Sequence, residues 1–280
     1  MKEISCQMVT ATIARLCQEA NYYLAPDLAA ALRGASETEE STTGRAILGE
    51  LLENARLAAE QRLAICQDTG MVVVFADLGQ NVRITGGSLT DAINAGVARG
   101  YSEGFLRASV VSDPLIRENT GDNTPAVIHY DLVPGNQLHL TVAPKGFGSE
   151  NMSAACLLTP SAGLDGIRRF VLETVEKAGP NPCPPIVVGL GIGGTLEKAA
   201  LLAKRALLRP AGSRNPKPHL ADLEQELLEA INRLGIGPAG LGGRTTALAL
   251  HIESFPTHIA GMPVVLNMSC HATRHAEAIL

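Results

Sequence analysis

Three of the cysteines stand where a loop meets a regular element, among polar or proline-rich neighbours. Cys66 lies in ICQDTG, Cys183 in GPNPCPPIVV and Cys270 in LNMSCHATRH. A deprotonated thiol in such a setting can act as a nucleophile or as a metal ligand. The remaining cysteines lie in helical or apolar contexts, where a thiol behaves as a small hydrophobe: they are Cys6, Cys17 and Cys156.

The spacing of the three junction cysteines includes no C-x-x-C pair, so spacing alone is a weak signal for a metal site. Structural zinc is disfavoured because no fourth ligand is obvious. An iron–sulfur cube held by three thiolates leaves one iron with an open coordination position. Such an iron is a Lewis acid that can bind a substrate hydroxyl or carboxylate. Plain burial, and a fully coordinated cluster that is structural or transfers electrons, stay open as alternatives.

Several polar stretches contain candidate substrate-binding groups. Lys145 precedes glycines in PKGFGSENMS, where an ammonium and adjacent backbone N–H groups predict an anion-binding loop. His258, in the loop FPTHIAGMP, has a side chain that can exchange a proton near neutral pH. Arg274 could pair with a carboxylate or be an ordinary charged chain end. Asp122 and Asn123 in NTGDNTP suit turn chemistry as well as function.

The motif GLGIGG matches G-x-G-x-x-G through Gly189, Gly191 and Gly194, between a predicted strand and a predicted helix. A dinucleotide site also needs an acidic residue about 20 positions further on, at the end of a second strand. That region reads LLRPAGSRNPKP, with no strand pattern and no acid. The glycines therefore favour a turn in which backbone approaches a ligand closely, or an anion site at a helix N-terminus, over nicotinamide binding.

Composition narrows the function classes. The chain has 280 residues, a formal net charge of −5, 3% aromatic residues and no Trp, which disfavours a nucleic-acid partner. No apolar run reaches the length of a membrane span, and the N-terminus has no signal-peptide core. Six cysteines are too sparse for a disulfide scaffold. We therefore expect a soluble cytoplasmic protein, with no membrane contact.

Periodicity predicts a mixed α/β fold in which a helical N-terminal layer precedes a mixed sheet covered by helices. We expect one domain over residues 1–280, with the helical layer at 1–63 and an α/β cluster-binding part at 64–280. The predicted helices are 4–24, 26–35, 45–63, 89–107, 163–179, 195–208 and 221–235. The predicted strands are 71–79, 126–133, 137–144, 186–191, 245–253 and 263–269.

Together, ICQDTG, NTGDNTPAVIH, PKGFGSENMS, NPCPPIVVGLGIGG, GIGPAGLGGRTTALALHIE and PTHIA with CHATRH resemble the class I, iron–sulfur-dependent fumarate hydratases and the related L-tartrate dehydratases. The resemblance implies the N-terminal-domain fold of these iron–sulfur hydro-lyases. It implies a 4Fe-4S cluster, held by Cys66, Cys183 and Cys270, whose unique iron binds the substrate. It also implies that the substrate is contacted by Gln67, Asp68, Gly148 and His258.

Two departures from the family pattern qualify this transfer. Phe147 stands where the family's loop is often all glycine, which would narrow or reshape the pocket. The sequence ends ten residues after Cys270, whereas single-chain family members continue into a second domain that supplies arginines and a threonine proposed as the base. The resemblance therefore implies an α subunit completed by a β subunit, in an α2β2 assembly.

The expected reaction is the reversible hydration of fumarate to L-malate, with L-tartrate dehydration as the alternative. Lys145, His258 and Arg274 would hold carboxylates of this small dicarboxylate. Asp68 or His258 would handle the proton of the departing water.

Overall fold

The computed structural model describes residues Met1–Leu280 and divides into two compact units. The first unit comprises Met1–Leu24, Ala55–Phe147 and Arg274–Leu280, and the second comprises Ala25–Asn54 and Gly148–Thr273. Each unit combines helices with a four-stranded sheet, which confirms the predicted mixed α/β class. No helix is long and apolar enough to cross a membrane.

The helices are α1 (Cys6–Tyr22), α2 (Pro26–Thr38), α3 (Thr42–Gln61), α4 (Leu89–Glu103), α5 (Phe147–Glu150), α6 (Gly163–Ala178), α7 (Leu196–Ala206) and α8 (Pro218–Asn232). The strands are β1 (Lys2–Ser5), β2 (Met71–Gly79), β3 (Val82–Thr85), β4 (Val127–Val133), β5 (Leu138–Lys145), β6 (Ala154–Leu158), β7 (Ile186–Gly193), β8 (Ala247–Phe255), β9 (Met262–Ser269) and β10 (Ala276–Ile279). The predicted helical layer over residues 1–63 corresponds to α1, α2 and α3, which the two units share.

The first unit is built around β2, whose residues 72–76 are buried on both faces. Its sheet has the order β10-β5-β2-β4, in which β2 runs parallel to β4 and antiparallel to β5. Helices α1 and α4 pack together and share one apolar core with the sheet, in which Ile13 and Ile93 join Val72 and Val74. A separate parallel pair is formed by β1 and β3.

The second unit has the sheet order β6-β9-β7-β8, with β7 parallel to β8 and antiparallel to β9. Side chains alternate across β7. Val188 and Leu190 join the core formed with α6 and α8. Gly189 and Gly191 face α7, where a Cβ atom on either residue would collide with a carbonyl oxygen of that helix. Gly189 and Gly191 of GLGIGG thus let α7 approach the sheet closely.

Candidate active site

The loop Cys66–Gly70 connects α3 to β2 in the first unit. Gly70 has φ +78, and a Cβ there would lie 2.7 Å from the backbone nitrogen of Lys145, so glycine suits both the left-handed conformation and the close approach. Because Met71 pairs with Lys145, the loop lies at the sheet end where β5 finishes. The two polar motifs ICQDTG and PKGFG therefore meet in space.

Asp68 is held through both carboxylate oxygens. Oδ1 accepts the Gly70 N–H at 3.0 Å, and Oδ2 accepts the Phe147 N–H at 2.9 Å. Gln67 is exposed and Cys66 is half-buried, with the thiol sulfur 3.6 Å from the Gln67 Oε1 atom. The side chains that flank Cys66 are thus an exposed amide and a fixed carboxylate.

Lys145 and Arg274, the two predicted carboxylate-binding cations of this unit, are both largely buried. Lys145 is 7% exposed, and its ammonium donates to the Gly146 carbonyl oxygen at 3.3 Å. Arg274 is 6% exposed, and its Nη2 atom donates to the Asp68 carbonyl oxygen. Its Nε and Nη1 atoms are buried without a hydrogen-bond partner. Arg274 is therefore part of the interior that supports the Cys66 loop, and it is not a solvated chain end.

Two contributors to this loop were absent from the sequence predictions. The Tyr101 hydroxyl donates to the Thr69 carbonyl oxygen at 2.6 Å, and the Thr69 hydroxyl donates to the Arg107 carbonyl oxygen at 3.0 Å. Arg107 is itself exposed, which leaves a guanidinium beside the loop. Tyr101 lies in α4 and Arg107 follows that helix. The sequence predicts the helix, but no local pattern predicts its contacts with a loop that is distant in the sequence.

Cys183 and Cys270 are brought together within the second unit. Cys183 precedes β7 and Cys270 follows β9, and the antiparallel register pairs Val187 with Ser269. The two cysteines therefore lie at the same end of neighbouring strands. His271, which sequence reasoning missed, links them, since its Nδ1 atom lies 3.2 Å from the Cys183 carbonyl oxygen.

The Cys183 loop is held in a specific conformation. Cys183 has φ +55, a left-handed value that is uncommon for a residue other than glycine and is frequent at functional sites. Its N–H donates to the Pro180 carbonyl oxygen at 3.0 Å, and its side chain is exposed. Gly148 lies beside the same loop, since a Cβ there would be 3.7 Å from the Asn181 carbonyl oxygen. The loop thus presents a thiol next to the predicted substrate-binding glycine.

His258 lies at the opposite end of this sheet from Cys270. Its loop joins β8 to β9 and covers the end of β7, where the Thr257 hydroxyl donates to the Gly194 carbonyl oxygen at 3.0 Å. The seven residue steps from Met262 to Ser269 separate the two ends by about 23 Å. The exposed His258 ring accepts the Ala260 N–H at Nδ1 with a distance of 3.1 Å, so Nε2 carries the proton in the neutral form.

The thiols differ in their capacity to bind a metal group. None of the six cysteines forms a disulfide bond. Cys17 is fully buried, and burial raises the pKa of its thiol, so it stays protonated. Cys66, Cys183 and Cys270 are half-buried or exposed in loops. No three His, Cys, Asp or Glu side chains surround a position for a single ion. A cube is bound through separate irons, so the paired Cys183 and Cys270 thiols of the second unit fit as two of its ligands.

The fold and these loops define a mixed α/β protein that presents thiols, a fixed carboxylate and buried cations at sheet ends. The chain belongs to the fumarate hydratase (Fumerase) family, whose model matches residues 10–279. The predicted family is thereby confirmed, and the chain is a hydro-lyase.

Named relatives match along nearly the whole chain. A Methanocaldococcus jannaschii protein provisionally named L(+)-tartrate dehydratase subunit alpha is 43% identical over 274 residues, covering 96% of each chain. The L(+)-tartrate dehydratase subunit alpha of Escherichia coli O157:H7 is 31% identical over 283 residues, covering 100% of this chain and 93% of the relative. The homologue of Escherichia coli UTI89, which has the same name, is 32% identical over 277 residues.

Proposed function

We propose that the chain is the α subunit of a two-subunit iron–sulfur hydro-lyase that hydrates fumarate reversibly to L-malate. Family membership supports the reaction class. The main structural support for the site is that Cys183 and Cys270 lie at the same end of β7 and β9, beside Gly148. The relatives' names contain "subunit alpha", which supports a β subunit as partner. The proposed assembly is α2β2.

Cys66, Cys183 and Cys270 are the proposed ligands of one 4Fe-4S cluster. The position of each residue in a loop, half-buried or exposed, supports the assignment, in contrast to the buried Cys17. When bound, the cluster supplies a Lewis-acidic iron with one open coordination position. Thiols that bind a cluster must stay reduced, which supports a cytoplasmic location.

The residues of the chain have distinct proposed roles. Gln67 and Asp68 are exposed or half-exposed next to the first thiol, where they would orient the hydroxyl of the substrate. Both oxygens of Asp68 accept N–H groups, which fixes the carboxylate next to the first thiol, where it would accept a proton from water or a hydroxyl. Lys145 and the backbone at Gly148 would complement the two carboxylates electrostatically.

His258 needs a different arrangement, because about 23 Å of strand separates its loop from Cys270 within the unit. To contact a substrate held near Cys183 and Cys270, it would have to come from a second copy of the chain. Its Nε2–H, directed away from the Ala260 N–H that binds Nδ1, is the donor that it would offer. This requirement agrees with a proposed assembly that contains two α subunits.

L(+)-tartrate dehydration is the second candidate, because relatives at 43% and 31% identity carry that name. L-malate and L(+)-tartrate differ by one hydroxyl group. Phe147, 47% exposed and bonded through its N–H to Asp68, lies where this difference could be sensed. Purified complex assayed with L-malate and L(+)-tartrate side by side decides between the two.

The ligand assignment is tested by anaerobic cluster reconstitution of the chain with its partner subunit. Cys66→Ser, Cys183→Ser and Cys270→Ser should each lower the iron and sulfide bound per chain and abolish fumarate hydration. Cys156→Ser is the matched control, since this half-buried thiol on β6 is outside the proposed set. A Cys66→Ser complex that kept the cluster absorbance and the full hydration rate would refute the assignment.

A further inference from the structure

Three consecutive carbonyl groups of the Cys66 loop are each held by a buried side-chain donor. Arg274 donates to the Asp68 oxygen and Tyr101 to the Thr69 oxygen. Asn123 donates through Nδ2 to the Gly70 oxygen at 3.1 Å. Burial raises the pKa of the Tyr101 phenol, so it remains a donor. We call Tyr101, Asn123 and Arg274 the carbonyl clamp.

The clamp residues come from distant parts of the chain. Tyr101 lies in α4, Asn123 in the loop before β4, and Arg274 just before β10. Their exposed fractions are 2%, 0% and 6%. A loop of Cys, Gln, Asp and Thr has no regular hydrogen-bond ladder to fix its backbone, so these bonds fix it instead.

Asn123 has a geometry that few residue types could satisfy. It has φ +62, a left-handed value that asparagine tolerates better than most residues. Its Oδ1 accepts the Ser109 N–H at 2.8 Å while its Nδ2 donates to Gly70. The side chain must therefore be an acceptor and a donor at once. The motif NTGDNTP that surrounds it has a structural purpose beyond forming a turn.

We propose that Asn123 is a positioning residue that, with the rest of the carbonyl clamp, fixes the direction of the Cys66 thiol and of the Gln67 and Asp68 side chains. The clamp turns three carbonyl oxygens toward the interior, away from an anionic ligand that they would repel. Holding these groups within a fraction of an ångström is what cluster ligation and proton transfer need. The inference rests on the proposed function for its catalytic meaning, and on the hydrogen bonds for its structural part.

The isosteric change Asn123→Asp tests the clamp selectively. An ionised aspartate still accepts the Ser109 N–H but sets a second acceptor against the Gly70 carbonyl oxygen. A protonated aspartate recovers the donor, so the defect should shrink as the pH falls. Asn123→Ala removes both bonds at every pH and should show no such recovery.

The matched control is Asn119→Asp in the same loop. The Nδ2 of Asn119 donates to the Ala108 carbonyl oxygen at 3.1 Å, and its Oδ1 accepts the Gly121 N–H at 2.7 Å. The bonding pattern is the same, but neither partner belongs to the Cys66 loop. A general effect of a new charge in the region would appear in both variants.

The primary measurement is the alkylation rate of Cys66 in the cluster-free chain, followed by peptide mass spectrometry and divided by the wild-type rate at the same pH. The rate for Cys183 in the same sample is the internal reference. For Asn123→Asp we expect the Cys66 ratio to rise about tenfold at pH 8 and to fall back severalfold at pH 6. The Asn119→Asp ratio should stay near one. Should Asn123→Asp fail to fold, Tyr101→Phe removes a single donor and should raise the same ratio.

In the reconstituted complex, Asn123→Asp should lower kcat for fumarate more than it changes KM, and should alter the cluster's spectroscopic signature. Cys66 alkylation equal to that of the wild type at both pH values would overturn the proposal. A wild-type complex without hydratase activity would instead refute the proposed function, while the alkylation result would still decide the role of the clamp.

Discussion

The buried carboxylate of Glu39 should make the stability of the fold depend on pH. This residue is 2% exposed, and its carboxylate accepts the N–H groups of Ser41 at 3.0 Å, Arg244 at 2.9 Å and Thr245 at 2.7 Å. Burial raises the pKa of this carboxyl, but the N–H bonds together outweigh burial and lower the pKa from 4.5 to about 2. The bonds join the end of α2 to the loop before β8, so the second unit depends on them.

The sign of the pH dependence follows from this lowered pKa. A group with a folded-state pKa below its unfolded value stabilises the fold above pH 4.5 and loses that contribution as the pH falls through 2. A shift between these two values corresponds to about 3 kcal/mol at pH 7. At pH 3 linkage leaves about 1.4 kcal/mol of that stabilisation.

Glu39→Gln keeps the shape and removes the charge, so it should lower the free energy of unfolding by about 3 kcal/mol at pH 7 and by about 1 kcal/mol at pH 3. Urea unfolding of the wild type and the variant, followed by far-UV circular dichroism at both pH values, measures this difference in the free energy of unfolding. Glu37→Gln changes an exposed carboxylate on α2 and should shift stability by less than about 0.5 kcal/mol. An equal difference in unfolding free energy between wild type and Glu39→Gln at pH 7 and pH 3 would contradict the linkage argument.

Other predictions concern packing, pH and specificity. Gly191→Ala should destabilise the chain by about 1–3 kcal/mol because its Cβ would meet the Ala199 carbonyl oxygen, whereas Gly34→Ala, with open space around it, should be neutral or stabilising in thermal unfolding. Burial, with the nearby Arg209, lowers the pKa of His251 from 6.5 to about 4. The neutral ring is therefore favoured in the folded chain. The free energy of unfolding, measured by urea titration, should fall by about 1 kcal/mol between pH 7 and pH 5.5, and His251→Gln should abolish this pH dependence. Phe147→Gly should raise kcat/KM for L(+)-tartrate relative to L-malate, and an unchanged ratio would exclude Phe147 from specificity.

The elements that sequence could predict are those with a strong local pattern. β2 and β9 are rich in apolar and β-branched residues, and α1, α7 and α8 repeat their apolar residues at helical spacing. The missed strands β1, β3, β6 and β10 are short and partly exposed. They exist because of a distant partner, as when β10 adds to the edge of β5, so no local window contains their signal.

The site shows the same limit for single residues. The loops that contain Cys66, Cys183 and Cys270 were predictable from polar residues at element junctions, but Tyr101 and His271 act across long sequence separations. His258 illustrates the converse. It is close to Cys270 in sequence, yet β9 lies between them, and an extended strand converts a short stretch of sequence into a long distance.

The chemistry of each cysteine follows from its element and not from its residue type. Cys17 projects from α1 into a core that excludes water, so its thiolate is too unstable to form. Cys183 has the opposite setting, in a left-handed turn with its side chain exposed. The three proposed cluster cysteines lie outside the helices and strands, so the backbone of their loops needs other hydrogen-bond partners. The Pro180 carbonyl oxygen supplies one for Cys183, as the carbonyl clamp does for the loop after Cys66. The conformation of each of these two cysteine loops therefore depends on hydrogen-bonding groups outside the thiol itself.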